Sequence, residues 1–545
     1  MTPIRPALVA ALAVLVFTCA PLSAQPDVVL IVADDLGFGD VGYNGSEIRT
    51  PNLDALAAEG VVLDRFYVSP LCSPSRAGLL TGRYGVRMGI NEPVTNADTV
   101  GLPQAEVTLA EALGEAGYET AAVGKWHLGD DCAFHPLLHG FDSFLGMLGG
   151  GGNYFTRQTA VGPDWWRGVA PVDTGGYTTT LIADEAVEIL RRPRDGPLFL
   201  YLPFTAPHAP LQALDEDLAL YPDLPEPRRT YAAMTTRLDL AVGRVMEAVR
   251  QSDRPTLVWF LSDNGAVERE GGDNGRLRGG KGQTYEGGTR VPSVVWYPAW
   301  GSREVAHPVW YLDVVPTVLG LVPSASAPAL PLDGADQGAQ LAGAPPTDAL
   351  LDRVLYSYRR TGGDNYWLSA QTAAWKYLEQ RTNNRLLQRL FRIDEDPFEE
   401  TNVPSEREIG EGLRQAATAF AGLTLPGAAH DQSLVAQLPP DLSECPGELA
   451  GPPLPPLVGE LSLRVGPNPV TSSGAVRLRS DRVRRLRVDL FDAIGRRVRT
   501  LYTGTVGPQG ELVVRFGRGG LPSGLYVMRA TADDASVSAR VVLTR

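Results

Sequence analysis

Asp27-Val28-Val29-Leu30-Ile31-Val32-Ala33 is an unbroken apolar run that stops at a pair of acids, Asp34-Asp35. A run without polar alternation predicts a strand buried on both faces, and such strands belong to parallel sheets covered by helices. The same signature returns at 120–123, 197–202, 256–261 and 291–297. Helical signals lie between these runs. Thr50-Pro51 opens one helix, with proline at the first position, where a missing N–H costs nothing. Others are predicted at 108–117, 180–191 and 231–250. The alternation predicts an α/β fold: a central, mostly parallel sheet with helices on both faces.

The polar motifs fall just after the strands. Gly124-Lys125-Trp126-His127 reads as a loop after the second run, and Ala206-Pro207-His208-Ala209-Pro210 follows the third. Ser262-Asp263-Asn264-Gly265 follows the fourth, and Arg278-Gly279-Gly280-Lys281-Gly282 precedes the fifth. Ligand sites in open α/β sheets lie at the carboxyl ends of strands, so these motifs are predicted to converge. Residues 144–164 are rich in glycine and read as loop.

Each motif has an ordinary reading and a chemical one. Adjacent Asp34 and Asp35 repel unless a cation lies between them, although a strand-terminal acid pair also serves as a helix cap or a solvated turn. With Asp263 and Asn264 they offer hard oxygen ligands that suit Ca²⁺ or Mg²⁺ better than Zn²⁺. Lys125 and His127 can face one anion, or reach for water from a tryptophan-anchored turn. His208 stands between prolines that hold its backbone extended, and the alternative is a packing histidine. Lys281 lies among glycines that permit close approach, or on a plain exposed loop.

Bulk composition narrows the class. The chain has 545 residues, enough for several domains, and a net charge of −14 that argues against a nucleic-acid binder. Lys125, Lys281 and Lys376 are the only lysines among 49 basic residues. A titratable ammonium and a permanently charged guanidinium are not interchangeable at a site, so those positions draw notice. Residues 1–24 read as an export signal: Arg5, an apolar stretch from Ala7 to Phe17, and Ser23-Ala24 before the cut. That stretch is too short to span a membrane. Cys19 leaves with the signal and Cys72 belongs to the motif below, while Cys132 and Cys445 could pair in an oxidising compartment but lie in different segments, which leaves their pairing open.

Leu71-Cys72-Ser73-Pro74-Ser75-Arg76-Ala77-Gly78-Leu79-Leu80-Thr81-Gly82-Arg83 predicts a helix with a cysteine at its start. A helix N-terminus is a ready anion site, though a buried packing cysteine is the ordinary reading. Cys-x-Pro-Ser-Arg followed by Leu-Thr-Gly-Arg is more particular, and it resembles the sulfatase signature. Taken with the strand-end motifs, with 47–56, with Gly140-Phe141-Asp142 and with Leu277–Lys281, most of residues 27–300 resemble the formylglycine-dependent type I sulfatases of the arylsulfatase B kind, within the alkaline-phosphatase-like superfamily.

The resemblance implies that a maturation enzyme converts Cys72 to formylglycine, whose hydrate attacks sulfur in a sulfate monoester. It implies a Ca²⁺ (or Mg²⁺) held by Asp34, Asp35, Cys72, Asp263 and Asn264. Arg76 would anchor the modified residue and His127 would bond its second hydroxyl. Lys125, Lys281 and His208 would neutralise sulfate, with His208 or Lys281 protonating the leaving oxygen. The implied substrate is a sulfated carbohydrate or an aryl sulfate. A phosphomonoester or phosphonate hydrolase on the same fold is the alternative, and a non-catalytic secreted glycan-binding protein is another.

The predicted domains are the signal (1–24), a catalytic domain (25–325), a smaller α+β subdomain (326–425), a proline-rich linker (426–459) and an all-β sandwich module (460–545). The last segment holds 15 Arg against 7 acidic residues, a net +8 that leaves −22 for the rest. Pro467-Asn468-Pro469, Asp492-Ala493-Ile494-Gly495-Arg496 and Pro522-Ser523-Gly524-Leu525-Tyr526 resemble the C-terminal sorting domain of type IX secretion. A carbohydrate-binding sandwich is the rival. The sorting reading implies secretion, or display on the outer surface of a Gram-negative bacterium, through the type IX machinery.

Overall fold

The computed structural model describes residues 25–95, 100–326, 328, 330–362 and 364–422, then seven strands between 461 and 543 and residue 521. The signal, the linker, Cys19, Cys445 and most of the sorting-type turn residues lie outside the described residues. Among the described residues no helix is long and apolar enough to cross a membrane.

Asp27–Ala33 is the strand around which a ten-stranded sheet is built. It lies parallel between Leu198–Pro203 and Thr256–Ser262, and the parallel block continues through Glu119–Lys125 to Ser143–Met147. Beyond Thr256–Ser262 the order turns antiparallel, through Ser293–Trp296 and Val61–Leu63, with Arg303–Val305 at the edge. The first strand is buried on both faces. Val28, Leu30 and Val32 join one apolar core, while Val29, Ile31 and Ala33 join another on the opposite face. Each of these valine, leucine and isoleucine side chains, at most 1% exposed, contributes about 1.5–3 kcal/mol by burial. Helices Pro51–Glu59, Thr178–Arg191 and Arg228–Arg250 cover one face. Cys72–Thr81, Leu109–Glu115 and Val314–Gly320 cover the other.

Two expectations need correction here. Residues 144–164 are not all loop: Ser143–Met147 pairs with Glu119–Lys125, its glycine allowing close strand approach, and short hairpin strands follow. Lys125 ends a strand rather than sitting in the loop after it, because the parallel pairing extends to Lys125 opposite Met147.

The smaller subdomain is an antiparallel meander, Leu355–Arg360, Tyr366–Gln371, Lys376–Thr382 and Arg385–Phe391. Helix Arg407–Gly422 lays Leu413, Ala417 and Phe420 on it. Phe420 stacks on Tyr356 at 4.5 Å and meets Tyr84 of the catalytic domain at 4.8 Å, which seals the two units together. The described strands of the terminal module form a three-stranded and a four-stranded sheet with an apolar core of their own.

Candidate active site

Register brings the acids together. Ala33 pairs with Ser262, and the Asp263 N–H donates to the Ala33 carbonyl, so Asp34 and Asp263 leave the sheet side by side. Lys125 arrives from the strand beyond Leu198–Pro203. Asp34, Asp35 and Asp263 are at most 2% exposed, and Lys125 is fully buried. Asp35 adopts a left-handed backbone (φ +64), and its N–H donates to Asp263 Oδ1 at 3.2 Å. Strained backbone of this kind is tolerated where the surroundings over-determine it, commonly at functional sites.

Helix Cys72–Thr81 is buried along its whole length and runs from the site into the core. It stops at Gly82, whose left-handed φ of +68 lets its N–H cap the Gly78 carbonyl. Arg76, one turn in, is fully buried. Its Nε and Nη2 donate to Asp263 Oδ2 at 3.0 and 2.7 Å, and Nη1 donates to the Lys125 carbonyl at 2.9 Å. Lys125 Nζ donates to Asp34 Oδ2 at 2.6 Å, and Lys281 Nζ to Asp35 Oδ2 at 2.8 Å. Asn264 Nδ2 donates to Asp35 Oδ1 at 2.7 Å. Ligand atoms of Asp34, Asp35, Cys72 and His208 all lie within 4.8 Å of one another.

His208 closes a turn over Ala206-Pro207, its N–H donating back to the Thr205 carbonyl. Its Nε2 is 3.7 Å from Asp35 Oδ2, and Nδ1 lies 2.6 Å from the Ala209 carbonyl. The Tyr154 hydroxyl, 2.6 and 2.8 Å from the carbonyls of Thr205 and His208, clamps that turn. His127 is also left-handed (φ +58), and its Nδ1 is buried without a partner among the described residues. A Cβ on Gly150 would lie 2.6 Å from His127 Nε2, and one on Gly151 3.4 Å from His208 Nδ1. The glycine run therefore lets a loop close over both imidazoles. Tyr154 and this loop escaped the sequence reading. The only signal was the run Gly149–Gly152, which is equally a mark of plain loop.

Burial would raise the Asp35 carboxyl, but Lys281, His208 and Lys125 reverse this and hold it well below the usual range. Burial, reinforced by Asp34 and opposed by Arg76, pushes Asp263 up to about 6. Burial pushes the Cys72 thiol up to about 12, so the unmodified side chain is a poor nucleophile at neutral pH. Burial lowers both His127 and His208, the latter to about 4, and the neighbouring lysines add to it.

The donor set fits a hard divalent cation. Asp34 Oδ1 and Asn264 Oδ1 are buried oxygens with no hydrogen-bond partner among the described residues. With the carboxylates of Asp35 and Asp263 they offer hard oxygen donors of the kind Ca²⁺ and Mg²⁺ prefer, beside the Cys72 sulfur and His208. The residues singled out in the strand-end motifs meet here, and Lys376, the lysine that no motif claimed, is buried elsewhere against Glu286 and Glu399. Cys72 is a free, buried thiol, and Cys132 is disulfide-bonded.

Comparisons with known proteins identify related chains. The family model described as Sulfatase matches residues 26–324. Arylsulfatase J of Mus musculus is 38% identical over 336 residues, 58% of this chain and 55% of that protein. N-acetylgalactosamine-6-sulfatase of Homo sapiens is 37% identical over 369 residues, 61% of this chain and 68% of that protein. This chain thus spans little more than half the length of the first and about two thirds of the second. Among solved structures, Ps i-CgsB in complex with k-i-k-neocarrahexaose is 33% identical, with a TM-score of 0.67, covering 76% of this chain and 98% of that one. The matched region spans the whole strand-end cluster from Asp34 to Lys281, and the chain belongs to the sulfatase family.

Proposed function

We propose that the protein hydrolyses sulfate monoesters of a sulfated carbohydrate, with Cys72 converted to formylglycine. The observation that carries this is the placement of Cys72 at a helix start, its sulfur within 4.8 Å of ligand atoms of Asp34, Asp35 and His208. Asp34, Asp35, Asp263 and Asn264 would hold a divalent cation, Ca²⁺ or Mg²⁺. That cation would add positive charge where three carboxylates already face Arg76, Lys125 and Lys281, turning a balanced cluster into an anion receptor. The formylglycine hydrate supplies the attacking oxygen.

The remaining side chains bind and move protons. Lys125 and Lys281 offer ammonium groups to the sulfate oxygens, and Arg76 fixes the helix start by its bonds to Asp263 and the Lys125 carbonyl. His208 or Lys281 delivers a proton to the leaving oxygen, and His127 faces the second hydroxyl of the modified residue. A carbohydrate substrate is supported by N-acetylgalactosamine-6-sulfatase and by the neocarrahexaose complex of Ps i-CgsB. The signal-like stretch at 1–24 and the sorting-type motifs of the terminal module support secretion, or display on the outer surface of a Gram-negative cell, through the type IX machinery.

The test is turnover of matched 4-nitrophenyl sulfate and 4-nitrophenyl phosphate by protein produced with a maturation enzyme, alongside peptide mass spectrometry of residue 72. Sulfate preference and a CH₂SH to CHO change are expected. Phosphate preference, or active protein with an intact thiol at residue 72, overturns the reading.

A further inference from the structure

Lys281 is carried on a loop that its own sequence leaves loose. Gly279 and Gly282, on either side of it, adopt left-handed backbone (φ +75 and +83), a conformation that glycine enters without steric cost and leaves as readily. Yet the Lys281 ammonium is held 2.8 Å from Asp35 Oδ2. The catalytic domain supplies two backbone bonds, from the Lys281 N–H to the Ala266 carbonyl at 3.1 Å and from the Gly282 N–H to the Pro70 carbonyl at 2.8 Å. A further hold comes from the smaller subdomain.

Glu399 grips both ends of that loop. Its carbonyl accepts from Arg278 Nη1 at 2.9 Å on the near side of Lys281, and its Oε2 accepts from the Glu286 N–H at 2.8 Å on the far side. Glu399 is fully buried and left-handed (φ +56). The turn that presents it is pinned by Asp396, whose carboxylate accepts the N–H groups of Glu400 and Thr401 at 3.2 and 2.8 Å. Lys376 Nζ lies 3.1 Å from Glu399 Oε1 and 2.8 Å from Glu286 Oε1, and so holds the two carboxylates together. Arg359 Nη1 adds a third tie, to the Gly282 carbonyl at 3.0 Å. Well-packed apolar side chains commonly join two units as firmly as buried ion pairs do, so adhesion alone does not account for this cluster. Its hydrogen bonds add direction, fixing where the loop starts and where it ends.

We infer that Glu399 is a positioning residue for Lys281: the smaller subdomain sets the loop from which the ammonium reaches the sulfate, and the site is incomplete without that unit. This role rests on the sulfate-ester reading, in which Lys281 faces the anion. Glu399→Ala should lower kcat/KM on 4-nitrophenyl sulfate about tenfold or more where Lys281 is present, since a small displacement of a reacting group slows the reaction steeply. On the residual turnover of a Lys281→Ala background the same substitution should cost less than about twofold, because residues that act through one another are not additive. Glu399→Gln keeps an acceptor for the Glu286 N–H and should recover most of the loss. No loss, or equal losses in the two backgrounds, overturns the assignment.

A second measurement needs no substrate. Lys281 is one of three lysines, and the other two, Lys125 and Lys376, are fully buried. Acetylation by acetic anhydride, followed by peptide mass spectrometry, therefore reports on this loop. The rate at Lys281 should rise about threefold or more in Glu399→Ala, as local opening becomes easier. An unchanged rate overturns the assignment. Should Glu399→Ala fail to fold, Arg278→Met, which cuts the bond to the Glu399 carbonyl, takes its place in both experiments with the same expectations. If the parent protein turns over no sulfate ester, the sulfate-ester reading fails, and labelling alone decides whether Glu399 holds the loop.

Discussion

Arg76 shows how much a single side chain carries in this site. Three of its nitrogens are committed, two to one Asp263 oxygen and one to a backbone carbonyl, and none reaches water. A lysine has one nitrogen on a flexible stem and cannot reproduce that fork. Arg76→Lys is therefore expected to lower kcat/KM on an aryl sulfate about a hundredfold or more, a loss of the size seen when one electrostatic contact is removed. Steady-state kinetics check this, and an unchanged value shows that Arg76 only packs. The oxygen set beside it gives a second expectation. Bringing Asp34, Asp35 and Asp263 together costs repulsion that a cation relieves, so chelation should abolish turnover and lower the melting temperature, and Ca²⁺ or Mg²⁺ should restore both. A cation present at a hundred times its dissociation constant adds about 2.7 kcal/mol. A chelated enzyme with full stability and activity contradicts the metal assignment.

At the scale of elements, the strand Lys376–Thr382 and the short helix Glu286–Thr289 are joined by a buried charge cluster. Lys376 Nζ is 2.8 Å from Glu286 Oε1 and 3.1 Å from Glu399 Oε1, and all three residues are buried. Removing the lysine leaves two buried carboxyl groups facing each other, with only Arg290 at 3.9 Å and the Tyr67 hydroxyl at 2.9 Å still on Glu286. Lys376→Met is expected to cost about 3–5 kcal/mol in chemical denaturation. Burial, opposed by Lys376 and reinforced by Glu286, pushes Glu399 up to about 7. The folded state thus holds that proton more tightly than the unfolded chain. The stabilisation is complete below the ordinary value of 4.5 and disappears as pH rises through 7. Glu399→Gln removes the titration, so the variant should gain on the parent in urea midpoint between pH 5 and pH 8. The opposite slope means that Glu399 is held as a carboxylate instead. The sequence marked Lys376 as unusual but could not assign it to this cluster, because its partners lie 90 positions before it and 23 after it.

Across the whole molecule, stability divides between the two cores on either face of the central sheet and the separate core of the terminal module, where Val476, Leu478, Val488, Leu490 and Met528 pack together. A unit with its own core unfolds by itself unless a large apolar interface ties it down. Differential scanning calorimetry of the full chain should therefore resolve two transitions, and only the larger should move when the cation is chelated. One cooperative transition, shifting as a whole, refutes independent folding of the module.

The sequence alone determined the doubly buried strand at 27–33, the α/β alternation and the strand-end motifs that the fold brings together. Each is written locally, in an apolar run, a capped helix or a short motif whose neighbours constrain it. Local pattern failed at Ser143–Met147, whose glycines imitate a loop while admitting a neighbouring strand. It failed again at Lys125, which ends a strand rather than sitting in the loop after it, its side chain held in the core by Asp34. Only the tertiary structure decided that Lys125 meets Asp34 across 91 positions, that Lys281 meets Asp35 across 246, and that Arg359 reaches the Gly282 carbonyl beside them. Those contacts depend on strand register and on how two units dock, and neither quantity is encoded in any short stretch of chain.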